Sequence, residues 1–498
     1  MERNHDQVPV AIAGAGPVGL ALALGLARMG ARSIVFEAAA ELPPFSRAII
    51  VLTRTLEAFQ GWQVADRFIA EGEFLPKLCA YRADNNQAFV RIDFSALSGE
   101  TPKPGVVLMP QDHTEKILCN EVLKTGLSEV RFNHKIAGAV QDDSGVTISV
   151  ESEGEQAYEQ RAYYLVGCDG AHSTVRESLG IKLKGTTYPV HVFLADVNIA
   201  DARDGLPYPR AAVDAPRFLF AVRFEPHHWR MVGVLEEAQV DAELGQDFFE
   251  DKVAQLLGSG PFELLWQSKF SIHRRHAAAF RRGRMLLAGD AGHLNSPAGG
   301  QGMNAGIQDA HNLAWKLAYS LGGGDADALL SSYDVERHEA VTEGVEKITD
   351  RISRFGLFTT KEVRPLVAGI AGKVISVPFF QRRVILAMTM LNARYRHSPL
   401  LFGRSSLLGR RSPELDALLD YRPTIVLHEP SAELLSAAKS CDVPNLQVMQ
   451  TQNWSRWKCR QPFAALVRPD GIVGYFKRSP TPDGLRRGVR SALGFAQP

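Results

Sequence analysis

The chain of 498 residues is 45% hydrophobic and 22% charged, with a formal net charge of +1. That length suits roughly three domains with sizeable cores, and the near-neutral balance gives no reason to expect a nucleic-acid partner. The five cysteines (Cys79, Cys119, Cys168, Cys441 and Cys459) are scattered and lack a CxxC pair, which argues against a disulfide framework and against a metal site.

The polar "MERNHDQ" at the start does not read as a signal peptide, so none is expected, and no apolar run reaches the roughly 18 residues a transmembrane helix needs. Reduced thiols in a cytoplasm are the expectation. "VPVAIAGAG" reads as a buried strand ending in a glycine turn, "PVGLALALGLARMGA" as a helix, and "SIVFE" as a second strand, together a βαβ unit. "QDHTEKILCNEVLKTG" predicts a helix. "VRFNHKIAGAV", "DDSG" and "VTISVES" predict a β-hairpin, and "AYYLVGCDGAHSTVRESLG" a strand, a turn and a helix. Between about 181 and 275 the pattern alternates, in "VFLADVNI", "RFLFAVRF" and "WRMVGVLE", around a helix near "QDFFEDKVAQLLG". That predicts an antiparallel sheet inserted into an α/β fold. "RMLLAGD" is again a buried strand. The helix "GIQDAHNLAWKLAYSL" after it places Ile307, Ala310, Leu313, Ala314, Leu317 and Ala318 on one face. A further domain is expected after about 415, with a hairpin around Pro469–Asp470–Gly471.

Two glycine-rich stretches carry the chemistry. In "GAGPVG", Gly14 makes a tight turn, Gly16 lets a pyrophosphate approach the main chain, and Gly19 lets helix and strand pack closely. The helix N-terminus then offers N–H groups to the phosphates. Glu37 ends the second strand, eighteen residues after Gly19, where a carboxylate accepts hydrogen bonds from a ribose diol. An acid there favours an unphosphorylated adenosine ribose, hence FAD or NAD(H). The second stretch, "GDAGHLNSPAGGQGMNAG" (Gly289 to Gly306), holds six glycines in eighteen residues and leads straight into a helix.

Together with "YLVGCDGAHSTVRESLGI", these segments resemble the motifs of the group A flavoprotein aromatic hydroxylases, the family of p-hydroxybenzoate, phenol and polyketide hydroxylases. "SRAIIVLTRTLEAF", "MPQDHTEKIL", "LLSSYDVERHEAV" and "LVRPDGIVGYF" are similar too, and only about 345–460 matches loosely. The resemblance implies an α/β fold with a Rossmann-like FAD-binding domain (1–180 and 276–350) and an inserted antiparallel β-sheet substrate domain (181–275). A helical basic connector (351–414) and a thioredoxin-like C-terminal domain (415–498) would follow. It implies an NADH- or NADPH-dependent FAD monooxygenase that uses O2 to hydroxylate an aromatic small molecule through a C4a-hydroperoxide of the flavin. Baeyer–Villiger oxidation, epoxidation, dehydrogenation or a non-catalytic FAD-binding scaffold are the alternatives.

By the same resemblance, Asp290 binds the ribityl hydroxyls of FAD, and Pro297, Gly299, Gly300, Gly302, Met303 and Asn304 line its ring. The helix N-terminus after Gly302 faces the pyrimidine end, where reduced flavin carries negative charge. Arg47 matches an arginine near the mobile flavin, and Gln111 a glutamine beside the ribityl chain; a loop arginine and a plain helix residue are the alternatives. Asp169 and Arg176 fit a motif serving FAD packing and nucleotide binding, or a purely structural role. His293 reads as a capped loop histidine. Candidates for the substrate pocket are Phe193, Phe220, Arg223 and His228, each of which also reads as ordinary core or surface. Where phenol hydroxylases carry an aspartate, this chain has Ile49, so no side-chain base carries over. Residues 351–411 hold twelve Lys and Arg against one acid, Glu362. They read as a charged helix on the core or on a second subunit, leaving a homodimer open, or as an amphipathic membrane-surface helix. Trp454 and Trp457 read as core, and without CxxC the C-terminal domain has no thiol redox role.

Overall fold

The apolar run Val8–Ala13 forms the middle strand of an eight-stranded sheet. A computed structural model describes residues 7–44, 48–152, 154, 156–199, 205–296, 299–346, 350 and 378–496. Arg47, Pro297 and residues 351–377 of the basic connector lie outside the described residues. The parallel core of the first sheet runs 285–287, 158–167, 8–13, 33–36, 128–131, with Ile12 between Val166 and Val35. Strands buried on both faces read as continuous apolar runs, as Val10 to Ala13 do. Helix α1 (Pro17–Arg28) opens with proline at its first turn and buries Gly19 to Ala27.

The expected hairpin forms between 134–141 and 146–152. Its turn is held by the Asp142 carboxylate, which accepts from the N–H groups of Ser144 (2.7 Å) and Gly145 (3.0 Å). The expected strand "VRFNHKIAGAV" is divided, however. Val130 and Arg131 belong to a strand parallel to 33–36, and Asn133, at φ +58°, turns the chain before the hairpin begins.

Helices α2 (Thr53–Gly61), α3 (Ala65–Glu71), α4 (Gln111–Lys124) and α5 (Thr174–Ser178) follow in chain order. The second sheet also has eight strands, ordered 293–294, 263–277, 183–198, 228–234, 219–225, 210–211, 77–82, 88–93. All neighbours are antiparallel except 210–211 with 77–82. It therefore draws three strands from outside 181–275. Alternation gives it two faces: Phe193, Ala195, Leu219, Ala221, Trp229 and Met231 pack beneath α6 (Gln246–Leu257), with Phe249 and Val253.

Helix α7 (Gln301–Leu321) is buried along nearly its whole length against α1, and α8 (Ala326–Glu339) packs on it. A third sheet, ordered 402–403, 473–478, 463–467, 424–428, 447–450, carries the C-terminal part. Helices Ala432–Lys439 and Pro482–Ala492 pack together beside it. The expected turn at Pro469–Asp470–Gly471 joins 463–467 to 473–478, with Gly471 at φ +74°. Trp457 is core as expected, whereas Trp454 is 38% exposed under the guanidinium of Arg460. Among the described residues, no helix is long and apolar enough to cross a membrane, and no group of three or more His, Cys, Asp or Glu is arranged to hold a metal ion.

Candidate active site

The three glycines of the first motif have different surroundings. Gly14 sits at φ +95°, and a Cβ there would lie 2.6 Å from the Cys168 carbonyl oxygen. A Cβ on Gly19 would lie 2.0 Å from the Gly14 oxygen, but one on Gly16 would meet nothing within 4 Å. Two glycines thus build the turn, and the middle one faces open space. Gly16 is also the N-cap of α1, whose first turn has no side-chain cap and no acidic residue. Its N–H groups and partial positive charge face that space. Glu37 lies across the turn. One carboxylate oxygen accepts from Ala15 N–H at 2.7 Å and the other from Ala39 N–H at 2.9 Å, and each keeps a lone pair for a hydroxyl.

The second motif is packed directly against the first. Gly289, at φ +61°, and Gly306 both lie against Val18 of α1; a Cβ on either would come within 2.9 Å of Val18 Cγ2. This contact brings the exposed Asp290 to the same region as the α1 N-terminus. The segment of Asp169 joins them: Cys168 N–H donates to the Ala13 carbonyl at 2.8 Å. Burial raises the Asp169 carboxyl above the usual range, and its Oδ2 accepts from Val175 N–H at 3.2 Å. Arg176 donates to the carbonyls of Ala291 (3.1 Å) and Ala171 (2.8 Å), so its guanidinium fixes the Asp290 turn from behind.

Gly299 and Gly300 adopt left-handed backbone, φ +84° and +64°. A Cβ on Gly300 would strike Ile50 at 2.3 Å, whereas Gly302 faces open space. Helix α7 begins there with no side-chain cap and no acid in its first turn. Met303 is half-buried against the core. Asn304 is fully buried, and its amide is taken up by main chain: it accepts from Leu52 N–H (2.9 Å) and donates to Ile50 (2.9 Å) and Gly300 (2.7 Å) carbonyls. It ties the strand at Ile50 to the start of α7. The Gln111 oxygen accepts from Ala48 N–H at 3.3 Å, and its amide nitrogen donates to Glu115 at 2.8 Å.

The structure separates the four substrate candidates. Phe193 lies under α6, edge-on to Phe248 and Phe249. Arg223 is on that same face, 4.5 Å over the Tyr208 ring. Phe220 and His228 lie on the opposite face, with Arg230. There Arg230 pairs through two bonds with Asp196 at 2.6 and 2.7 Å. Arg223 does line a cavity of about 410 Å³, between Leu108, Met109, Pro110 and His113 on one side and Tyr208, Phe224 and Pro226 on the other.

An uncapped helix start, an open Gly16, an acid at the strand end and a second glycine turn on the same helix together fit a dinucleotide carrying phosphates and ribose. Residues 7–348 match the family model described as "FAD binding domain". The chain belongs to this family. A 12-dehydrotetracycline 5-monooxygenase/anhydrotetracycline 6-monooxygenase of Streptomyces rimosus subsp. rimosus is 32% identical to it, over 97% of this chain and 98% of that protein. A para-nitrophenol 4-monooxygenase of Pseudomonas sp. is 30% identical over 67% of this chain and 83% of that one. The solved OxyS anhydrotetracycline hydroxylase from Streptomyces rimosus has a TM-score of 0.81 at 30% identity, covering 98% of this chain and 99% of that one. The protein is a flavoprotein monooxygenase.

Sequence reasoning missed the groups that hold the second turn of this flavoprotein. Asp309 on α7 accepts from Gly289 N–H (2.9 Å), from His293 Nε2 (2.7 Å) and from Arg337 Nε (2.6 Å). Burial pushes its carboxyl up, but the charges of His293 and Arg337 outweigh that and keep it below the usual range. His293 is therefore a buried partner of Asp309 rather than a capped loop residue. The available signal was Asp309, Asn312 and Lys316, a polar stripe at helical spacing that by itself reads as a solvent face. Glu115 was also missed. It is buried, one of its oxygens has no partner, and burial raises it to about 7, helped by Asp112 and Glu37.

Proposed function

We propose that this monooxygenase uses NADH or NADPH and O2 to hydroxylate an aromatic, polyketide-like small molecule. The observation that carries the reading is the packing of Gly289 and Gly306 on Val18, which joins both glycine motifs around one helix N-terminus. When bound, FAD accepts hydride from the nicotinamide and supplies the oxygen-activating chemistry. The chain's own residues bind and orient it. Gly14, Gly16 and Gly19 with the start of α1 take the pyrophosphate, Glu37 the adenosine ribose, and Asp290 and Gln111 the ribityl chain. Gly302 leaves room for a planar ring, the left-handed turn at Gly299 and Gly300 brings main chain up to it past Ile50, and the N-terminus of α7 favours negative charge on it. Met303 and Asn304 shape that edge, and Arg47 and Pro297 complete the set inferred from the sequence. Asp169 and Arg176 act by holding the Asp290 turn.

The substrate enters this reading through the cavity beside Met109 and Pro110. Its volume, about 410 Å³, suits a compound of several fused rings. This agrees with the relative named for anhydrotetracycline, whereas the one named for para-nitrophenol takes a single ring. With Ile49 in place of an aspartate, no side-chain base is assigned. The second sheet serves as the substrate domain, its 181–275 part inserted between 1–180 and 276–350 and joined by strands 77–82, 88–93 and 293–294, and 415–498 serves as a thioredoxin-like domain without a redox role. The described part of the basic segment, 378–414, packs on the core through Ile385, Met390 and Leu391, a homodimer stays part of the reading, and the protein acts in the cytoplasm. The test is a screen of phenolic and polycyclic compounds for stimulated NADH and NADPH oxidation, with labelled O2 traced into a product hydroxyl. Absence of label from every stimulating compound would refute hydroxylation.

A further inference from the structure

The turn Arg468–Pro469–Asp470–Gly471 of the C-terminal part enters a wholly buried ionic cluster on α7 and α8. Glu336 accepts from both terminal nitrogens of Arg468 (2.6 and 2.9 Å), from Lys316 Nζ (2.8 Å), from Asn312 (2.7 Å) and from Ser398 (2.5 Å). Asp470 accepts from Arg468 (2.5 Å) and Asn312 (2.8 Å). Burial opposes ionisation of Glu336, but Arg468 and Lys316 outweigh it and hold the carboxyl well below its ordinary range. Two cations and two carboxylates, all buried, form a set that adds little net stability. What such a set does provide is one fixed geometry, because moving any member strands a charge.

The next residue on α8 belongs to a different site. Arg337 donates to Asp309 (2.6 Å), which holds Gly289 N–H and His293 at the turn bearing Asp290. Its other arm donates to the Tyr395 hydroxyl at 3.1 Å. Tyr395 lies beneath the Arg468 guanidinium, 5.8 Å from ring to cation, and its N–H donates to the Gly409 carbonyl. Gly409 N–H in turn donates to Val473, just past the Arg468 turn. The C-terminal part therefore reaches Arg337 twice, through Glu336 and through Tyr395. We propose that Arg468 and Tyr395 are positioning residues of the FAD site: by fixing Arg337 they hold the Asp309–Gly289–His293 clamp and so the turn of Asp290. This rests on the assignment of Asp290 to the FAD site.

The experiment uses the full chain stripped of FAD by acid and titrated with FAD well below the melting temperature, following flavin fluorescence and dissociation rate. R468K keeps the charge and loses the forked contact to Glu336. Y395F removes only the hydroxyl. Y319F loses a bond from the far end of α7 to the Pro444 carbonyl and serves as the control for a merely structural loss. R468K is expected to speed FAD dissociation at least tenfold and Y395F three- to tenfold, while Y319F lowers the melting temperature without changing dissociation. If R468K does not fold, Y395F decides. Dissociation unchanged in Y395F, or changed equally in Y319F, overturns the proposal. A wild-type chain that takes up no FAD instead overturns the reading of the site itself.

Discussion

The Asp309 carboxylate accepts the main-chain N–H of Gly289 at 2.9 Å, twenty residues back along the chain. A side chain from the middle of α7 thus fixes the backbone immediately before Asp290, and its other bonds go to His293 and Arg337. Replacing it by asparagine keeps the shape but leaves the buried Arg337 uncompensated. Breaking one partner of a buried charge pair costs about 3–5 kcal/mol. The D309N variant is expected to unfold at clearly lower denaturant concentration and to lose FAD on gel filtration, read from the absorbance ratio of flavin to protein.

Asp290 itself is exposed at the turn, and D290A is expected to weaken FAD binding more than it destabilises the apoprotein. The expected loss is about 1–3 kcal/mol in FAD affinity, the range for a lost partner of hydrogen-bonding groups. In free energy, the FAD titration should shift by more than the thermal melt of the apoprotein.

The glycines of the first motif separate fold from binding. A methyl at Gly19 meets the Gly14 oxygen at 2.0 Å, whereas one at Gly16 meets only open space. G19A is expected to give insoluble or unfolded protein. G16A is expected to fold within about 0.5 kcal/mol of wild type yet bind FAD at least tenfold more weakly, because the added methyl occupies room assigned to the pyrophosphate. Fluorescence titration and urea denaturation of the two variants distinguish the effects.

Glu115 gives a pH signature. Its folded carboxyl is raised from 4.5 to about 7, chiefly by burial. A raised carboxyl binds its proton more tightly when folded, so its stabilising contribution is complete below the unfolded value and is lost as pH rises through the folded one. Between about pH 4.5 and 7 wild-type stability should fall relative to E115Q, by at most about 1.4 kcal/mol per pH unit, and level off above. Parallel denaturation curves of E115Q and wild type across that window would contradict this.

The C-terminal cysteines should be dispensable. Cys441 and Cys459 are buried, and burial raises the Cys441 thiol further above its ordinary value, away from the thiolate that redox exchange needs. The double variant C441S/C459S is expected to retain turnover and FAD content, measured against wild type with a stimulating substrate.

Local pattern alone determined the βαβ unit, the 134–152 hairpin, the alternation of the second sheet and the long helix after Gly300, because each depends on periodicity and turn chemistry within a few residues. It also determined the two glycine motifs, since a turn that admits no Cβ leaves its mark as glycine wherever it occurs. Motif position already separated Gly16 from Gly19, but only the tertiary structure decided that Gly300 faces Ile50 while Gly302 faces open space. It likewise decided that Phe193 and Phe220 lie on opposite faces of one sheet, that strands 77–82 and 88–93 join it, and that Asp309, Asn312 and Lys316 face a dry interior. A polar stripe at helical spacing is the same string of letters whether water or Arg337, Glu336 and Asp470 lie opposite. Those partners come from segments up to 158 residues away, and no local window contains them.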